Sequence, residues 1–270
     1  MSWTNILVPA LGGAPDADML AVGHALAEPF GAILTMAYSS TTPTSLFSLV
    51  GEAGVGVSDA AISALQKVSS EGEARARGVL EALDYPRKEF ESVTADEWAG
   101  LRATSRLADV VVWDPATARG HGFFAAAFQQ ILMDERRPAL VAQAPVEPGG
   151  LVAIAWDGGR EASRAARRAV PWLRQADEVV VLTAPQAMAQ PCHALRLLRY
   201  LDDQGVQASA MPLHSRGEAG ALLIAAAREL GARMLVAGAF GHPRLQRFIF
   251  GGTTQVLLES APNPALFLSH

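Results

Sequence analysis

The chain repeats itself, and no other feature constrains its fold as tightly. Ile6-Leu-Val-Pro9 and Leu151-Val-Ala-Ile-Ala155 are short apolar runs, followed by Gly12-Gly13 and Gly158-Gly159 and then by Ala-rich helical patterns. Asp109-Val-Val-Val-Trp113 matches Arg233-Met-Leu-Val-Ala237, and Arg137-Pro-Ala-Leu-Val-Ala142 matches Asn263-Pro-Ala-Leu-Phe-Leu268. The offset is 146 residues at the start and 124 to 126 at the end, so the first half holds roughly 20 extra residues. Such internal similarity is the mark of one unit written twice.

Each copy alternates strands and helices. In the second half the pattern predicts strands at 151–156, 178–183, 208–212, 234–237 and 265–269, with helices at 161–173, 192–204, 218–230 and 253–260. The strands are continuous apolar runs, as expected when helices cover both sheet faces. On 161–173, Ala162, Ala165, Ala169 and Leu173 form one stripe, with Arg164, Arg167 and Arg168 elsewhere. The expected fold is therefore α/β: two tandem doubly wound domains, each a five-stranded parallel sheet with helices on both faces. The Pro/Gly-rich stretch 144–150 reads as the linker between domains at 1–145 and 151–270. The first-half insertion, Ser39 to Gly56, precedes an amphipathic helix from Ser58 to Leu83 with Glu71, Glu73, Arg75 and Arg77 on its wet side.

Composition excludes several classes. Half the residues are apolar and 18% are charged, which is too apolar for a disordered chain. A net charge of −5 argues against duplex nucleic acid as the main partner. The only lysines, Lys67 and Lys88, follow no glycine run, so a Walker-type phosphate loop is ruled out. The single cysteine, Cys192, can form neither an intrachain disulfide nor a cysteine-rich zinc site. The N-terminus lacks a signal-peptide pattern, and apolar runs such as 221–227 are too short to cross a bilayer. The expectation is a cytoplasmic protein without a membrane partner.

Ligands of open α/β sheets sit beyond the carboxyl ends of the strands. There the second half offers Asp157 after its first strand, Gly238-Ala-Phe-Gly241 after its fourth, and Gly251-Gly252-Thr253-Thr254 opening its last helix. Glycines let backbone N–H groups approach a ligand, and a helix N-terminus favours phosphate. Arg244 and Arg247 lie between the glycine clusters and can supply cations. Each residue also has a plainer use: Asp157 as a turn cap, the glycines as turn formers, the arginines as solvated charges.

With this strand context, the spacing G-x2-G-x9-G resembles that of the universal stress protein family. Its nucleotide-binding members also carry an aspartate after strand one. Asp157, Gly238, Gly241 and Gly251 match residue by residue; Gly252 stands where the family has Ser or Thr, followed by Thr253 and Thr254. The resemblance spans nearly the whole chain as a tandem pair. It implies ATP or another adenine nucleotide, with or without Mg2+, its adenine and ribose near Asp157 and its phosphates on 238–254. Ala184 and Ala237, at strand ends, join that implied site. Mg2+ would lean on the phosphates, with Asp157 as the one acidic contributor near the loop.

The first half departs from the pattern. Leu11 replaces the aspartate, read as a buried leucine, and Trp113-Asp114-Pro115 leads to loop glycines Gly120 and Gly122 beside Phe123 and Phe124. That half reads as a degenerate copy with a filled pocket, which gives one nucleotide per chain. No nucleophile and base pair stands out. Three readings stay open: a nucleotide-binding regulatory or protective protein, a slow ATP-hydrolysing enzyme, and a nucleotide-free dimerisation module. The matched final strands also predict that the halves pair about a pseudo-twofold axis; a homodimer is left open.

Overall fold

The structure, a computed structural model, describes residues 2–40, 59–93, 99–184, 194–214, 217–240 and 252–270. The first half contains β1 (Asn5–Ala10), α1 (Pro15–Ala27), β2 (Ile33–Ser39), α2 (Asp59–Ala82), β3 (Lys88–Val93), α3 (Ala99–Ser105), β4 (Val110–Trp113), α4 (Pro115–Ala118), α5 (Ala125–Met133) and β5 (Ala139–Val141). The second contains β6 (Leu151–Ala155), α6 (Arg160–Leu173), β7 (Glu178–Thr183), α7 (Ala194–Asp203), β8 (Ala208–Pro212), α8 (Ala219–Glu229), β9 (Met234–Gly238), α9 (Gly252–Ser260) and β10 (Ala265–Ser269). Most of the insertion, 41–56, lies outside the described residues, as do Cys192 and His193.

Helix boundaries follow local chemistry. Pro15 sits at the start of α1, where its missing N–H costs nothing. Asp114 caps α4 by accepting the N–H groups of Ala116 and Thr117, and Glu218 caps α8 through Gly220 and Ala221. On α6 the predicted stripe of Ala162, Ala165, Ala169 and Leu173 is buried, while Arg167 and Arg168 are exposed.

All ten strands form one sheet, ordered β3-β2-β1-β4-β5-β10-β9-β6-β7-β8. Within each half every pairing is parallel. The join differs: β5 and β10 run antiparallel, with Val141 opposite Leu266 and Ala139 opposite Leu268. The two five-stranded parallel sheets are thus one surface whose strand direction reverses at the centre. Apolar continuity holds for inner strands such as β4, β9 and β10. It fails at the rims, where β3 and β8 are largely exposed because an edge strand has a neighbour on one side only.

One core lies on each face of the sheet. The first joins α1, α2, α6 and α7; the second gathers residues of α3, α5, α8 and α9. The halves share the first core through a stack of rings. Trp3 lies 5.7 Å from Phe267 and 6.0 Å from Trp172, both nearly parallel, and 5.2 Å from Phe30 edge-on. Its indole N–H donates to the carbonyl of Arg168 at 3.1 Å, so its polar edge is satisfied while its body is buried.

Candidate functional site

Strands β9, β6 and β7 are adjacent and parallel, with Ile154 level with Val236 and Ala155 level with Leu182. Their carboxyl ends therefore reach one rim together, bringing Asp157, Ala184, Ala237 and Gly238 side by side. Ala184 and Ala237 are buried, and their small side chains keep the rim low. Asp157 is half-buried, and one carboxylate oxygen accepts the Gly159 N–H at 2.7 Å across a turn in which Gly158 has φ +77°. The turn-capping use of Asp157 is therefore real. Its other oxygen makes no hydrogen bond among the described residues.

Gly238 has a different reason for being glycine from the one its spacing suggests. A Cβ there would lie 2.5 Å from the Ala162 nitrogen and 2.7 Å from the Glu161 carbonyl carbon. The first turn of α6 packs directly onto it, so the bare backbone serves helix–strand contact. The same contact brings Glu161 to the rim, buried and 3.7 Å from the guanidinium of Arg160. Glu161 escapes motif reading because it belongs to no glycine pattern; its position two residues past Gly158-Gly159 is the only signal. The rim thus holds a second carboxylate, which corrects the expectation that Asp157 is the only acidic group there.

The start of α9 completes the rim. Thr254 is buried, and its hydroxyl accepts the Phe240 N–H at 3.2 Å, tying the helix start to the exit of β9. Thr253 is half-buried, and a Cβ on Gly252 would meet open space. The first turns of α6 and α9 therefore both approach this rim, where their unsatisfied N–H groups favour an anion. Gly241, Arg244, Arg247 and Gly251 lie outside the described residues.

The equivalent rim of the first half is built otherwise. Leu11 is 39% exposed, not buried, because Asp16 takes the inward place. The buried Asp16 carboxylate accepts the N–H groups of Leu11 at 3.2 Å and Gly12 at 2.7 Å. Burial raises its pKa above the usual carboxylate value, against the lowering effect of those backbone bonds and of Arg75. Arg75 donates to the Gly12 carbonyl at 2.8 Å, and a Cβ on Gly12 would lie 2.2 Å from the Gly72 oxygen. Helix α2 is thereby clamped onto the loop after β1. At the place of Ala237 stands Trp113, buried with Phe124 and Phe128 edge-on to it. Gly120 and Gly122 have positive φ and nothing near their missing Cβ atoms, as simple loop glycines do.

Among the described residues, no group of three or more His, Cys, Asp or Glu is placed to hold a metal ion, and no helix is long and apolar enough to cross a membrane. Residues 151–268 match the profile of the universal stress protein family. No curated protein sequence matches the chain. Among solved structures, a universal stress protein from Archaeoglobus fulgidus DSM 4304 is similar at TM-score 0.67 and 15% identity, over 99% of this chain and 96% of that one. A putative universal stress protein from Pseudomonas aeruginosa UCBPP-PA14 is similar at TM-score 0.53 and 14% identity, over 99% and 93%. At these identities the likeness is one of fold, and it extends over both halves.

Proposed function

We propose that the second half, whose residues 151–268 match the profile of the universal stress protein family, binds one adenine nucleotide. The observation that carries this reading is the convergence on one rim of Asp157, with an oxygen not used in its own turn, and the glycine–threonine start of α9. In this reading Asp157 takes the adenine–ribose part above the low floor of Ala184 and Ala237. The N–H groups around Gly252, Thr253 and Thr254 take the phosphates. Gly241 and Gly251 shape the loop, Gly238 admits the first turn of α6 at the rim, and Arg244 and Arg247 supply charge. Mg2+, where it accompanies the phosphates, would neutralise their charge, with Asp157 and Glu161 as the nearby carboxylates.

The same reading makes residues 1–145 a degenerate copy, 151–270 the binding copy and 144–150 the linker, in a cytoplasmic protein with a regulatory or protective role. The antiparallel β5–β10 joint supports treating the two copies as a self-paired unit. The nucleotide-free reading draws on Gly238, whose missing Cβ is accounted for by α6 alone.

Calorimetry of ATP, ADP and AMP into the purified chain, with mass spectrometry of whatever denaturation releases, tests the proposal. The expected result is one site per chain, lost in Thr253→Glu, which sets a carboxylate against phosphate. No binding, or two sites, overturns it.

A further inference from the structure

The charge of this chain is divided unequally. Residues 1–150 carry 10 lysines and arginines against 18 carboxylates, a net −8, whereas 151–270 carry 12 against 9, a net +3. The division sharpens on one face of the sheet, where α1, α2, α6 and α7 lie over a single core. There α1 with its capping Glu28, together with α2, has six carboxylates besides the buried Asp16, against three bases. Helix α6 with its capping Arg174, together with α7, has seven arginines against three carboxylates.

Some of these charges are paired locally, Lys67 with Glu71, Arg77 with Glu73 and Arg160 with Glu161, and others are not. Arg167, Arg168, Arg196 and Arg199 are exposed and Arg164 is half-buried, and none makes an ion pair among the described residues. Nor do the exposed Asp18, Glu28 and Glu81 on the other side. Among the described residues of these helices, the large aliphatic side chains most open to solvent are Val68 on α2 and Leu195 on α7, at 62% and 66% exposure.

We infer that this face is a self-complementary docking surface for a second copy of the chain. A twofold axis in the plane of contact, running along the strands, lays the acidic α1–α2 pair of each copy over the basic α6–α7 pair of the other. The same contact is made twice, so the assembly closes as a dimer instead of extending. A second copy is the occupant whose charge complement is visible in the structure itself. Nucleic acid or an anionic membrane would match only the basic half and would be repelled by the acidic one.

Sedimentation velocity at micromolar concentration tests the inference without reference to nucleotide. The wild type is expected at twice its 28.5 kDa chain mass in about 20 mM salt, and at the chain mass in about 500 mM salt, where exposed charges are screened. Two charge-reversed proteins, Arg164→Glu/Arg167→Glu and Asp18→Lys/Glu81→Lys, should each be monomeric at low salt, with unchanged far-UV circular dichroism. Mixed in equal amounts they should form a mixed dimer, because each supplies the charge that the other lost. A wild type that stays monomeric at low salt, reversed proteins that still dimerise, a mixture that does not, or capture of the wild type only by added RNA or anionic vesicles overturns the inference.

Discussion

Gly238 and Gly252 both belong to the glycine pattern of the second half, yet they face opposite demands. Gly238 is pressed against the backbone of α6, whereas Gly252 points into open space. A valine at 238 must push a helix, not a flexible side chain, and overpacking of that kind costs about 1–3 kcal/mol. Gly252→Ala should leave stability unchanged or slightly raised, since alanine limits the unfolded chain. Urea unfolding of both variants checks this; equal midpoints would contradict the packing argument. The pattern along the chain cannot separate the two cases, because spacing records that a Cβ is missing without saying which neighbour requires it. Leu11 was equally hidden: its exposure depends on Asp16, five residues on, taking the inward place.

At the scale of elements, the loop after β1 is held from two sides, by the Asp16 carboxylate of α1 and by Arg75 of α2. Because burial raises the pKa of Asp16, the folded state keeps its proton to higher pH than the unfolded chain, whose value is near 3.8. The stabilising contribution of Asp16 is therefore full below that value and is lost as pH rises through the raised one. Asp16→Asn cannot ionise, so the stability of the wild type relative to this variant should fall as pH climbs from 3.8 towards neutrality. Urea midpoints across that range measure it, and a pH-independent difference would refute it. Strands and helices were legible element by element, since apolar runs and the alanine stripe of α6 declare themselves locally. The exposure of β3 and β8 was not, because being at an edge is a property of the sheet and not of the strand.

The whole molecule is held by the β5–β10 joint and by the rings around Trp3. Truncating a buried tryptophan typically costs about 3–5 kcal/mol, and Trp3→Ala should cost that much while loosening both halves together. In the wild type, unfolding followed by fluorescence and by circular dichroism should coincide; two separate transitions would show that the halves do not share a core. The repeat made two like domains legible and its matched final strands pointed to the joint between them, but the register of that joint, with Val141 opposite Leu266, is something no residue pattern states.

The reversal of strand direction at β5–β10 makes the molecule bidirectional. Since each half opens beyond the carboxyl ends of its own strands, the loop carrying Leu11 and the loop carrying Asp157 point away from opposite margins of the sheet, separated by a strand length of about 17 Å or more. A small ligand lodged at one margin cannot touch the other. A fluorophore attached at the exposed Leu11 would therefore be blind to contact with anything held at Asp157. Any change it reported would have crossed the sheet itself, which makes that one position a gauge of whether the two halves communicate.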